Sequence, residues 1–289
     1  MKSVTKFVVG MWLLLGIQAV VAQQTEPPPK VLSVVREVLK PGKSGMGHER
    51  SESAFVQAFS HAKWPSHYLA VDSLSGKPRS LFLAGYDSFE AWEKDTNALQ
   101  KNGALAAAFD HAEAADGELL SEISMSAFTY SEEYSFNSSV DIAHMRYFEI
   151  SLVHTRPGHQ KEWDEAVKMV IAAYAKALPD THWAAYTSAY GQPDGTYVFF
   201  TPMKSMAEID QNLMNNKKFM AAMGEDGMKK LGELSAASIE SSETNLFAFN
   251  PRISYVSDEW VKADPDFWKP KASAGGTKKA AEKPAAKNP

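Results

Sequence analysis

An internal repeat at an offset of about 115 residues limits what this chain can fold into more than any other feature of it. Pro41-Gly42 recurs as Pro157-Gly158, 116 residues on, and His67-Tyr68 recurs as His182-Trp183 at 115. Gly76 and Pro78 recur as Gly191 and Pro193, Ser88 as Ser205, and Ile123 as Ile239. The offset stays within 115–117 along a whole half, where chance matches would scatter. Each half also carries the same order of elements. Segments 31–40 and 146–156 alternate and are rich in Val, Ile and aromatics, so both predict strands. The Pro-Gly turn follows, then a helix on which Trp163, Ala166, Val167, Val170, Ile171 and Tyr174 fall at helical spacing. His48, Phe55, Val56 and Phe59 take the corresponding places in the first half, and Trp64-Pro65 and Leu178-Pro179 stop the two helices.

Second strands are expected at 67–74 and 182–190, and third strands at 80–86 and 196–201. Second helices begin near Ser88 and Ser205, and fourth strands close the halves near 122–130 and 237–249. That order is β-α-β-β-α-β, the ferredoxin-like split unit. A sheet with helices on one side leaves its other face bare, and a second copy can cover it. The expected fold is therefore α+β. Two tandem ferredoxin-like units, 31–136 and 137–256, pair as an intramolecular dimeric α/β barrel with helices outside and a cavity between the sheets.

The flanks differ in kind. Lys2 and Lys6 precede the apolar run 7–21, and Val20-Val21-Ala22 suits signal-peptidase cleavage, so 1–22 is expected to be a signal peptide and the protein periplasmic or secreted. The run is short for a bilayer span, and no second long apolar run exists, so no membrane span is expected after cleavage. Residues 23–30 (QQTEPPPK) form a Pro-rich linker. The aromatic segment 257–270 is expected to strap across the barrel, and the Lys/Ala/Pro-rich tail 271–289 to stay disordered. With the leader's two lysines and the tail's net four positive charges set aside, the formal charge of −5 becomes −11 for the body. So acidic a body argues against a nucleic-acid partner. The absence of cysteine excludes thiol catalysis, iron–sulfur clusters and Cys-ligated zinc.

The strand–Pro-Gly–helix openings FEISLVHTRPGHQKEW and VLSVVREVLKPGKSG, with LFLAGYDSFEAW and YVFFTPMKSMAEI, resemble the dimeric α/β-barrel superfamily, particularly NIPSNAP-like proteins. The resemblance covers about residues 31–256. Glu149 stands eight residues before Pro157, where that family often has Glu, but the Arg that usually follows two residues later is Ser151 here. First-half counterparts are Ser33 and Val35. The superfamily includes cofactor-free monooxygenases and haem enzymes, so the resemblance implies a location for a ligand, between the sheets, and not an activity.

His67 and His182, each opening a second strand before an aromatic, are candidate bases, as is Glu149. Strand alternation puts Tyr147, Glu149 and Ser151 on one face of their strand and Phe148, Ile150, Leu152 and His154 on the other. If the more apolar face meets the helices, Tyr147, Glu149 and Ser151 point into the barrel. Tyr186 and His154, the latter at the rim, complete the expected ligand-binding set. The histidines show no shared metal spacing, and HExxH, GxSxG and Gly-rich phosphate loops are absent, so no metal site is expected. The expected function is binding of a small apolar or aromatic ligand between the sheets, without a cofactor. A cofactor-free oxygenase, a haem protein with a His ligand, and a structural or partner-binding envelope protein are the alternatives. Exposed edges leave room for a homo-oligomer.

Overall fold

The computed structural model describes residues 25–43 and 45–269. The leader and the tail 271–289 lie outside the described residues. The chain forms β1 (Val31–Leu39), α1 (Met46–Ala62), β2 (Tyr68–Ser73), β3 (Arg79–Tyr86), α2 (Phe89–Lys101), α3 (Gly103–Gly117) and β4 (Leu120–Phe136). A short 3₁₀ turn, Ile142–His144, leads into β5 (Tyr147–Thr155), α4 (Gln160–Ala177), β6 (Trp183–Tyr190), β7 (Thr196–Met203), α5 (Ala207–Ser238) and β8 (Ile239–Phe249). Two short helices follow, α6 (Asp258–Ala263) and α7 (Pro265–Trp268).

Local chemistry accounts for these limits. Gly42 and Gly158 have φ of +77° and +85°, a turn conformation that glycine adopts without steric cost, so both Pro-Gly pairs punctuate strand and helix. Ser88 caps α2 by accepting the Ala91 amide at 3.1 Å. Ser205 does not cap α5; the Glu208 side chain instead accepts from the Lys204 amide at 2.8 Å. Gly224 interrupts α5 with φ +72° and ψ 169°. None of the described helices is long and apolar enough to cross a membrane.

The eight strands close into one antiparallel barrel in the order β1-β3-β2-β8-β5-β7-β6-β4. Within it the first half contributes β4-β1-β3-β2 and the second β8-β5-β7-β6. The β2–β8 and β4–β6 pairings join them, so each half's edge strands are covered by the other half. All eight strands send apolar side chains into one interior cluster, among them Leu32, Val71, Leu83, Phe128, Phe148, Val198 and Phe247. A second cluster, with Val153, Trp163, Val167, Ala185 and Tyr197, lies between the sheet's outer face and α4. Both faces of these strands are therefore buried.

One hairpin fixes the seam between the halves. Gly191, between β6 and β7, has φ +81°, and a Cβ there would lie 2.3 Å from the Met125 carbonyl oxygen on β4. Gly191→Ala is expected to lose more than the ~1–2 kcal/mol of left-handed backbone strain, because the clash is with main chain. A urea midpoint matching the parent's would show that the seam yields freely.

The flanks close one mouth of the barrel. Residues 25–29, expected as part of a spacer, lie against it: the Glu26 amide donates to Val140 O at 3.2 Å, and the Pro29 ring packs where a Gly85 Cβ would be, 2.7 Å away. Past β8 the strap returns to the same mouth, and Trp268 is buried in the interior cluster.

Candidate functional site

The interior cluster does not fill the barrel to the brim. At the mouth carrying the flanks lies a cavity of about 590 Å³. Its floor includes Leu32, Leu69, Leu83, Phe148, Ala184 and Phe200, and its rim includes Pro27–Pro29, Val256 and Trp260. Pockets of this size and apolarity suit a small organic ligand.

His67 and His182 both reach this cavity, from the starts of β2 and β6. The two imidazoles thus stand at one mouth. His67 stacks on Tyr255, ring centroids 4.9 Å apart. Although more than a third of its surface is exposed, desolvation pushes its pKa below the ordinary value, against the opposing pull of Glu259 and Asp258. His182 donates through Nε2 to the Pro202 carbonyl at 2.9 Å, which fixes its ring. Tyr186, 3% exposed, also lines the cavity, and its hydroxyl has no hydrogen-bond partner among the described residues. Burial, then the neighbouring Tyr130, holds that hydroxyl well above the usual tyrosine range, so it is a neutral donor and acceptor.

The other expected residues lie elsewhere. Phe148, Ile150 and Leu152 belong to or pack against the barrel interior, whereas Val153, of the same parity as Tyr147, Glu149 and Ser151, faces α4. The inward orientation expected for Tyr147, Glu149 and Ser151 is therefore inverted. The Glu149 carboxylate faces Tyr174 of α4, whose hydroxyl is pushed up by burial and then by that charge. Ser151 shares a 2.7 Å hydrogen bond with Thr244 on the neighbouring strand. His154 has the interior parity, but it sits six residues beyond Phe148, about 20 Å along the strand from the cavity end. There it hydrogen-bonds Thr196 Oγ1 at 2.8 Å. Alternation separated the two faces of β5 correctly. Apolarity could not say which one faces inward, because both are buried.

Sequence reasoning passed over a second constellation. On the outer face of the first half, Glu37 of β1, His48 and Glu52 of α1, and Asp116 of α3 are all buried, with ligand-type atoms within 4.8 Å of one another. His48 Nε2 donates to Glu37 Oε2 at 3.1 Å, and lies 4.0 Å from Glu52 Oε1 and 3.8 Å from Asp116 Oδ1. Burial, followed by the charges of Glu37 and Asp116, pushes Glu52 up to about 10. Glu37 is raised mainly by burial, despite its hydrogen bond from His48. For His48 burial disfavours the charged form, yet the Glu37 hydrogen bond and the charges of Asp116, Glu37 and Asp72 outweigh it. Three carboxyls thus face a single imidazole. Comparing the halves position by position would have exposed the cluster, because Glu37, His48 and Glu52 stand where the second half has Val153, Trp163 and Val167.

No family model matches the chain, and none of the curated proteins matches it. Solved structures do. A protein named "Putative monooxygenase" from Fusobacterium nucleatum superposes with a TM-score of 0.50 at 13% identity, covering 77% of this chain and 93% of its own. An anthrone oxidase-like protein superposes at 0.49 with 12% identity, covering 76% and 92%. A mutant chlorite dismutase from Candidatus Nitrospira defluvii superposes at 0.45 with 10% identity, covering 81% and 95%. At such identities the likeness is one of fold, an α+β fold with an eight-stranded antiparallel barrel, and the chemistry must be argued from the chain's own residues.

Proposed function

We propose that the barrel mouth binds a small apolar or aromatic molecule bearing one hydrogen-bonding group. The observation that carries this is the Tyr186 hydroxyl, left without a protein partner among the described residues, beside the apolar floor of a cavity of about 590 Å³. A hydroxyl that faces the cavity and is unused by the protein is free to pair with a ligand's polar group. His67 and His182 at the rim would orient that group. In this reading the barrel is a tandem pair of ferredoxin-like units of NIPSNAP-like kind, supported by the matching strand orders of the two halves. The leader read from the sequence would place the binding outside the cytoplasm.

Haem does not fit this wall. Among the described residues it holds no lysine or arginine to meet two propionates, and its acids Glu26 and Asp87 would repel them. Fluorescence titration with 1-naphthol and with naphthalene tests the proposal. Both should bind saturably to one site. Tyr186→Phe should weaken 1-naphthol by about 3- to 10-fold, the value of one neutral hydrogen bond, and leave naphthalene unchanged. Absence of saturable binding by either aromatic would sink the proposal.

A further inference from the structure

We propose that Glu37, His48, Glu52 and Asp116 bind one divalent transition-metal cation. The site is separate from the mouth cavity, on the other face of the sheet. Cations of this class bind nitrogen and oxygen ligands at about 2.0–2.2 Å, so their ligand atoms stand about 3–4.4 Å apart. The His48 Nε2 separations of 3.1, 3.8 and 4.0 Å fall in that range, and the 4.8 Å spread of the whole set needs only small side-chain movement. One imidazole with three carboxylates suits Zn²⁺, Mn²⁺ or Fe²⁺ better than Mg²⁺, which favours oxygen ligands and retained water.

Several observations beyond the acidity of the cluster point to a ligand. Glu52 is 3% exposed, and its Oε1 has no hydrogen-bond partner though it is aimed at His48. The Tyr68 hydroxyl, close enough to feel the charges of Glu52 and Glu37, is also buried without a partner. Outer-shell support is present, since Ser51 Oγ donates to Asp116 Oδ1 at 2.6 Å. The arginines of adjoining elements are engaged with other acids: Arg36 with Glu122, Arg79 with Glu243, and Arg252 with Glu49. In the second half the matching positions hold Val153, Trp163 and Val167, packed as an ordinary apolar layer. The fold therefore does not need acids there. A second cavity of about 370 Å³, walled by His48, Asp72, Gly45 and Arg79, gives an entry path.

The test uses the purified protein, stripped with EDTA and titrated by calorimetry with Zn²⁺, Mn²⁺ and Mg²⁺. One equivalent of Zn²⁺ or Mn²⁺ should bind with a rise in melting temperature and with release of protons, as His48 Nε2 gives up its hydrogen. Mg²⁺ should bind at least about tenfold more weakly. Glu52→Gln and Asp116→Asn should each weaken Zn²⁺ by at least about tenfold. Without cation, Glu52→Gln should melt close to the parent, because the amide has nearly the size and shape of the carboxyl it replaces. If either variant does not fold, broadening of amide signals by Mn²⁺ decides: broadening centred on β1, α1 and α3 supports the site, and broadening centred elsewhere overturns it. Absence of stoichiometric binding, or affinity unchanged in both variants, also overturns it.

Discussion

Trp268→Ala is expected to destabilise the protein by about 3–5 kcal/mol, the cost of deleting a large aromatic from a packed core. Trp268 belongs to the strap, yet it is 5% exposed and part of the barrel's interior cluster. Its ring lies 4.8 Å from Phe267 and 5.4 Å from Trp260, and Nε1 donates to the Ala143 carbonyl at 2.8 Å. Truncation would leave a cavity among those rings and remove the shorter of two hydrogen bonds to the Ala143 carbonyl, which keeps the one from Arg146 Nη1 at 3.4 Å. The strap is tied down a second time by Arg146, which pairs with Asp264 and lies 3.9 Å over the Phe267 ring. Guanidinium unfolding reads the effect. A loss below about 1 kcal/mol would show that the strap is a removable lid and not a plug built into the core.

Ala184→Trp is expected to abolish aromatic binding at the mouth, with a fall in 1-naphthol affinity of about 100-fold or more, close to 2.7 kcal/mol. Ala184 shares the parity of Tyr186 on β6 and lines the cavity, so an indole there enters the space the ligand would use. Because that space is present already, the substitution should avoid the strain of overpacking and change stability by less than about 1.5 kcal/mol. Retained binding in a folded Ala184→Trp protein would place the ligand elsewhere. Paired with Tyr186→Phe, the experiment separates occupancy of the cavity from recognition of the polar group.

The halves were legible for a physical reason. Turn glycines, helix-stopping X-Pro pairs and period-two strands are local requirements, and they recur wherever the unit recurs. Pro157-Gly158 proves to be such a requirement, since Gly158 takes the same left-handed turn conformation as Gly42 of Pro41-Gly42. His67 and His182 were legible as matched strand-opening positions, and the structure sets both beside one cavity with Tyr186. Glu149 was misplaced because a strand buried on both faces offers two apolar-looking sides. The acid–imidazole cluster was missed because its members come from three elements, with Asp116 lying 64 residues beyond Glu52. A search for histidine spacing does not register a set that is mostly carboxylate.

By itself the sequence determined the order of elements, the turns and the separation of the two faces of β5, because each depends on residues near one another in the chain. Only the tertiary structure decided which parity faces the barrel interior, how Trp268 plugs its mouth, and that four buried polar groups from the first half meet where the second half packs Val153, Trp163 and Val167. Those outcomes depend on closure of the barrel and the docking of helices on its outer face, which set the surroundings of a side chain independently of its neighbours in sequence.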